Sequence, residues 1–207
     1  MNSVLVALGR IIGLPIPPHS VCQASRANKS VGMSYIEDMT QAMDHIEVEQ
    51  MYSAITIADE ILKISKAAGR TLTPLQLMKL VYIAHGYSLA YGRDLFTDRI
   101  EAWQYGPVIP DLYRATKHFG RNPIPLEMID DNPPAVDTET KNLLEDVVAK
   151  YGKLSGYALS SLTHKSGTPW DRVYRPGIMG IEIPDDLIRD HYKGLLDERR
   201  LNPGTVA

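Results

Sequence analysis

The segment "LTHKSGTPWDRVY", residues 162 to 174, gathers a histidine, several hydroxyls and a carboxylate in one short stretch. His164, Ser166, Thr168 and Asp171 are the residue types of a nucleophile set, in which an imidazole takes a hydroxyl proton. Such sets assemble from segments far apart in the chain, so adjacency in sequence speaks against that chemistry. A structural reading accounts for the same residues. Gly167 ends a helix, Thr168 caps the next turn, Pro169 takes its first position, and Trp170 anchors the corner in the core. His164 at the helix end gains from the dipole when protonated.

Other chemistry is scarce. The carboxylate pairs Asp130–Asp131 and Asp185–Asp186 read as solvated charge in a proline-rich loop and as first-turn residues of a helix; acid–base work would need a cleft and a shifted pKa. The six histidines are dispersed, and no two lie at i and i+4 with an acidic neighbour. Zinc spacings, Walker loops, dinucleotide fingerprints and metalloprotease motifs are missing from the sequence, so neither metal nor cofactor is expected. His85 falls between Met78 and Val81 on an apolar face, as a core histidine bonded to backbone would. The single cysteine, Cys22, excludes an intrachain disulfide and suits a reducing cytoplasm. These readings point away from an enzyme.

Recognition is the better prospect. "EAWQYGPVIPDLY", residues 101 to 113, places Trp103, Tyr105 and Tyr113 around a chain reversal. A Gly106–Pro107 turn sets the chain direction, and Pro110 opens the next helix. Aromatic groups held this way lose little entropy on binding and are common interface anchors. Tyr105 is the better contact candidate; Trp103 and Tyr113 also suit inward packing that holds the corner. With His164 and Trp170, these residues form the candidate partner-binding set.

The elements that must position them are mainly helical. Ala54, Ile57, Ala58, Ile61 and Leu62 define one helical face, with Asp59 and Lys63 suited to an i,i+4 pair and Gly69 to the C-terminal cap. "TPLQ" supplies Thr73 as cap, Pro74 at the first position and Gln76 to close a capping box. The helix that follows is apolar around almost its whole circumference, so it is expected to be central. It offers mainly Gln76 and Lys79 as polar surface, which argues against a DNA-reading helix. After Gly92 the period changes, and one or two short strands fall around residues 98–109. A helix from Pro110 ends at Gly120, a proline-rich loop follows, Asp137 and Ser155 cap two more helices, and a last amphipathic helix starts near Pro184. The fold class is mainly α (α+β): a helical domain with a small β element.

Ordinary globular proportions, 44% hydrophobic and 23% charged over 207 residues, allow one packed domain without staples. A net charge of −3 gives no global attraction to nucleic acid or anionic membranes. "MNSVLVALGRIIGLPIPP" lacks a leading charge and a convincing cleavage site, and is too short to span a bilayer. Residues 1–50 are therefore expected as a poorly structured extension that could reflect a mis-assigned start, 51–198 as the domain, and 199–207 as a flexible tail.

"LQLMKLVYIAHGYSLAYGRDLFTDRIEAWQYGPVIPDLY" followed by "LTHKSGTPW" resembles the Panacea domain family, which includes GepA-like phage-associated proteins and SocA-like proteolytic adaptors. The resemblance runs from about Ala54 to about Tyr192. It is carried by Leu77, Leu80, Tyr82, Ala84 and Gly86 of the buried helix, then the "IEAWQYGPVIPDLY" and "THKSGTPW" blocks. The resemblance implies an antitoxin of a two-gene toxin–antitoxin system, of a kind common on prophages, that neutralises a cognate toxin by direct binding. One branch implies instead delivery of the bound toxin to a AAA+ protease. An uncharacterised enzyme built around His164 is the third reading. The family brings no catalytic residues, and nothing in residues 1–50 resembles the DNA-binding domain that some members add, so direct DNA binding is not expected.

Overall fold

The computed structural model describes residues 51–125 and 135–201. The N-terminal extension with Cys22, the Asp130–Asp131 pair and the last six residues lie outside the described residues. Among the described residues, seven α-helices and one two-stranded antiparallel sheet are present. The chain is thus mainly α with a small β element, as its patterning requires.

Helix α1 (Ala54–Ala67) starts at Ser53, whose hydroxyl accepts the Thr56 N–H, and hands over through Gly69 in the left-handed region. Its ion pair is Lys63 with Glu60 at 3.4 Å, a correction to the expected Asp59–Lys63 pair, because Asp59 is buried on the core face. Helix α2 (Pro74–Ala90) begins with the capping box, Thr73 and Gln76 each bonding the other's backbone N–H. Every residue from Leu77 to Leu89 is buried. This helix is the axis of the fold: α1 packs on it, as do α4 (Thr138–Tyr151), α5 (Gly156–Thr163) and α7 (Asp185–Leu201). Helix α7 continues to Leu201, into the stretch expected as tail.

Burial of α2 on all sides explains its glycine-dependent contact with α7. A Cβ at Gly86 would overlap the buried Tyr192 ring. Tyr192 meets Tyr82 and Tyr87 edge-on, with centroids 6.2 and 4.9 Å away, and Tyr87 shares a 2.8 Å hydroxyl contact with Tyr151. His85 is the core histidine anticipated, but its partner is a carboxylate: Nε2 lies 3.2 Å from Asp185 Oδ1, and the ring stacks on Phe96 at 4.1 Å. Asp185 therefore ties α7 to α2, while Asp186 pairs with Arg189.

Strands β1 (Glu101–Trp103) and β2 (Gly106–Val108) pair with Ala102 opposite Pro107. The other edge of β1 takes the segment 181–183, with Ala102 N–H donating to the Ile181 carbonyl and Ile183 N–H to the Ile100 carbonyl, both at 2.8 Å. Helix α3 (Pro110–Thr116) follows at once, then a 3₁₀ turn, Lys117–Phe119, closed by Gly120. Asp137 caps α4: it accepts the Thr140 N–H at 2.7 Å and also meets the Tyr52 hydroxyl and Arg93. Burial opposes ionisation there, but the hydrogen bonds from Thr140, Tyr52 and Arg93 outweigh it and hold the carboxyl down at about 2.

Candidate functional site

The hairpin's tip is Gln104–Tyr105, a correction to the expected Gly106–Pro107 turn, because Gly106 already pairs with Trp103 as the first residue of β2. Gly106 nevertheless needs to be glycine. Its φ is +101°, and a Cβ there would lie 2.5 Å from Lys79 Nζ and 2.9 Å from Thr163 Oγ1.

What crowds Gly106 is a polar core under the hairpin. Lys79, expected as surface on α2, is instead wholly buried, and its Nζ donates to the Pro107 carbonyl at 2.8 Å. Burial pushes this amine down to about 7. Ser160 Oγ donates to the Tyr105 carbonyl at 2.8 Å, and Ile109 N–H points to Met78 Sδ at 3.2 Å. The hairpin therefore rests on α2 and α5 through its backbone, leaving its side chains to set the outer surface.

His164 ends α5 and faces two carbonyl oxygens: Nδ1 lies 2.5 Å from that of Ser160 and Nε2 3.2 Å from that of Gln104. Its ring also lies against Trp170, with centroids 4.0 Å apart. Thr168 and Asp171 of the imagined nucleophile set are engaged with the backbone of the corner, and Ser166 is exposed. Thr168 Oγ donates to the Thr163 and Lys165 carbonyls, and Asp171 accepts the Gly167 N–H at 3.0 Å. Thr168 also opens the short helix α6 (Pro169–Val173). Among the described residues, no three His, Cys, Asp or Glu side chains converge as a metal site would.

The two tryptophans join these parts. Trp170 Nε1–H donates to the Trp103 carbonyl at 2.7 Å, and Trp103 Nε1–H donates to Glu101 Oε2 at 2.8 Å. Glu101 is buried and also pairs with Arg99, so its charge is satisfied. Trp103 meets Tyr113 edge-on at 4.9 Å, and Trp170 stacks on Tyr174 at 4.5 Å.

Beside this frame runs a groove of about 730 Å³, with Met78, Ala102 and Val108 at its base. Tyr105 is 68% exposed and Tyr113 40%, both on the groove. Of the seven sequence candidates, Trp103, Tyr105 and Tyr113 line the groove, whereas Gly106, Pro107, His164 and Trp170 form the support beneath or behind them. Sequence reasoning missed the opposite wall. There Ile178 and Met179, 57% and 80% exposed, sit between Gly177 and Gly180, both in the left-handed region. Two large apolar side chains at a glycine-flanked tip were the available signal.

Residues 77–171 match the family model described as Antitoxin SocA-like, Panacea domain. Antitoxin SocA of Caulobacter vibrioides (strain NA1000 / CB15N) is 31% identical over 159 residues, covering 70% of this chain and 84% of that protein. No solved structure matches. The buried α2 helix, the aromatic hairpin and the Thr168–Trp170 corner thus lie within the matched region, and the chain belongs to the SocA-like Panacea domain family.

Proposed function

We propose that this chain is an antitoxin that neutralises a cognate toxin by direct binding, acting in the cytoplasm and without chemistry of its own. The observation that carries the reading is the groove: exposed Tyr105, Tyr113, Ile178 and Met179 surround an apolar base on a frame whose polar atoms are already bonded. Large exposed apolar side chains clustered on one face mark interaction sites, and a rigid frame limits the ordering cost of binding. The relative named as an antitoxin directs the choice of partner. The absence of a hydroxyl against either ring nitrogen of His164 supports binding over nucleophilic catalysis.

Among the described residues, no helix is long and apolar enough to cross a membrane. The test is co-expression with the product of the neighbouring gene. Restored growth and co-purification are expected with the wild type, and both are expected to be lost with Tyr105→Asp. Growth arrest despite abundant folded protein would count against the reading. Toxin half-life in the same cells separates neutralisation by binding, which leaves it unchanged, from delivery to a AAA+ protease, which shortens it.

A further inference from the structure

We propose that the groove receives an amphipathic helix of the partner, seated by its apolar face and carrying a carboxylate at the end that meets Lys117 and Arg121. The proposal rests on the reading of this face as the docking site and specifies what fills it.

Backbone chemistry selects the helix. A strand added to the hairpin would need free carbonyls and N–H groups along an edge. Here the hairpin carbonyls are engaged: Trp103 with Trp170, Tyr105 with Ser160, and Pro107 with Lys79, while that of Gln104 faces His164. The far edge of β1 is taken by the segment 181–183. A segment entering such a groove finds apolar side chains and, along the hairpin, carbonyls already engaged, so its own backbone groups are best satisfied internally. A helix does this, and presents apolar residues at i, i+3, i+4 and i+7 to such a groove.

Charge selects its orientation. The lining includes the exposed cations Lys117 and Arg121, four residues apart past the end of α3, and no carboxylate. Among the described residues no carboxylate pairs with either, in a chain whose net charge is −3. A helix brings negative charge to that end through an acidic side chain and its own C-terminal carbonyls. Complementary charge at a rim fixes register and orientation, and is sensitive to salt.

The test selects binders to the full chain from a displayed library of helix-forming peptides, with the apolar-face and end positions randomised. Enriched peptides are expected to carry leucine-like residues on one face and Asp or Glu at one end. The double variant K117E/R121E is expected to bind them roughly tenfold more weakly at low salt and to enrich Lys or Arg at that end instead. Proline placed mid-peptide is expected to abolish binding, since it breaks the helix. No enrichment, an unchanged end preference in the double variant, or full binding by the proline peptide would each overturn the proposal. Growth rescue separates its failure from that of the reading beneath it. Rescue lost with Tyr105→Asp, alongside any of those peptide results, leaves the docking face standing without the helix. Rescue that survives Tyr105→Asp removes both.

Discussion

The aromatic group around Tyr192 and the group around Trp103 use similar side chains at different depths. In the first, Tyr82, Tyr87 and Tyr192 are all buried and close the seam between α2 and α7. In the second, Trp170 is buried and Trp103 half-buried, but Tyr105 and Tyr113 face water. The polar atoms differ in the same way. In the first group the Tyr87 hydroxyl meets that of Tyr151, whereas the indole N–H groups of the second bond to backbone or Glu101 and so fix the hairpin from within. Depth thus separates side chains that hold the fold from side chains the fold leaves to solvent along the groove.

The widest gap between the two should appear at Tyr192. Tyr192→Ala empties a sealed site and is expected to cost about 4 kcal/mol, read as a fall in urea midpoint. Gly86→Ala should follow at about 3 kcal/mol, because the new methyl overlaps the Tyr192 ring. In the double variant the two costs should fall well short of additive, since the clash needs the ring. Additive costs would mean that α2 and α7 do not meet there.

Lys79 sharpens the contrast from the hairpin side. Its amine loses its proton from about 7 when folded, against an ordinary lysine value of 10.5. Between those values the unfolded chain binds more protons, so stability should rise with pH, by up to about 1 kcal/mol per unit. The gain is complete above the unfolded value and lost as pH falls through about 7. Tyr82 works in the opposite sense above pH 10, because burial holds its hydroxyl above the ordinary value of 10.0. Urea midpoints from pH 7 to 9.5 should therefore climb for the wild type and stay nearly flat for Lys79→Met. A flat wild-type profile would place Lys79 in solvent.

Smaller effects test the periphery. Asp137→Ala removes the α4 cap and its contacts with Tyr52 and Arg93, at an expected cost of about 1.5 kcal/mol. Tyr105→Ala should change stability by less than about 0.5 kcal/mol. The same substitution should weaken toxin capture roughly thirtyfold in a pull-down titration, as expected for an anchor worth about 2 kcal/mol. An equal loss of stability and binding would erase the distinction between the two groups.

Features legible in the sequence were those decided within a few residues. Thr73, Asp137, Ser155 and Thr168 all cap the helices expected of them, because a cap bonds an N–H three residues on. The unbroken apolar circumference of α2 revealed its central place for the same local reason. Lys79 was misread because its acceptor lies 28 residues away, and nothing in a helical wheel predicts a carbonyl waiting inside. The partner of His85 is 100 residues away. Half of the groove was legible as an aromatic hairpin. The wall of Ile178 and Met179 had only its flanking glycines as a signal, since a loop has no period against which two exposed apolar residues stand out.

Both of the chain's tryptophans stand at one place, joined by a single hydrogen bond beside the groove. The natural protein therefore carries an optical reporter confined to that face. Its intrinsic emission should shift when something seats there and stay silent to events at the far seam, so complex formation can be followed without a label.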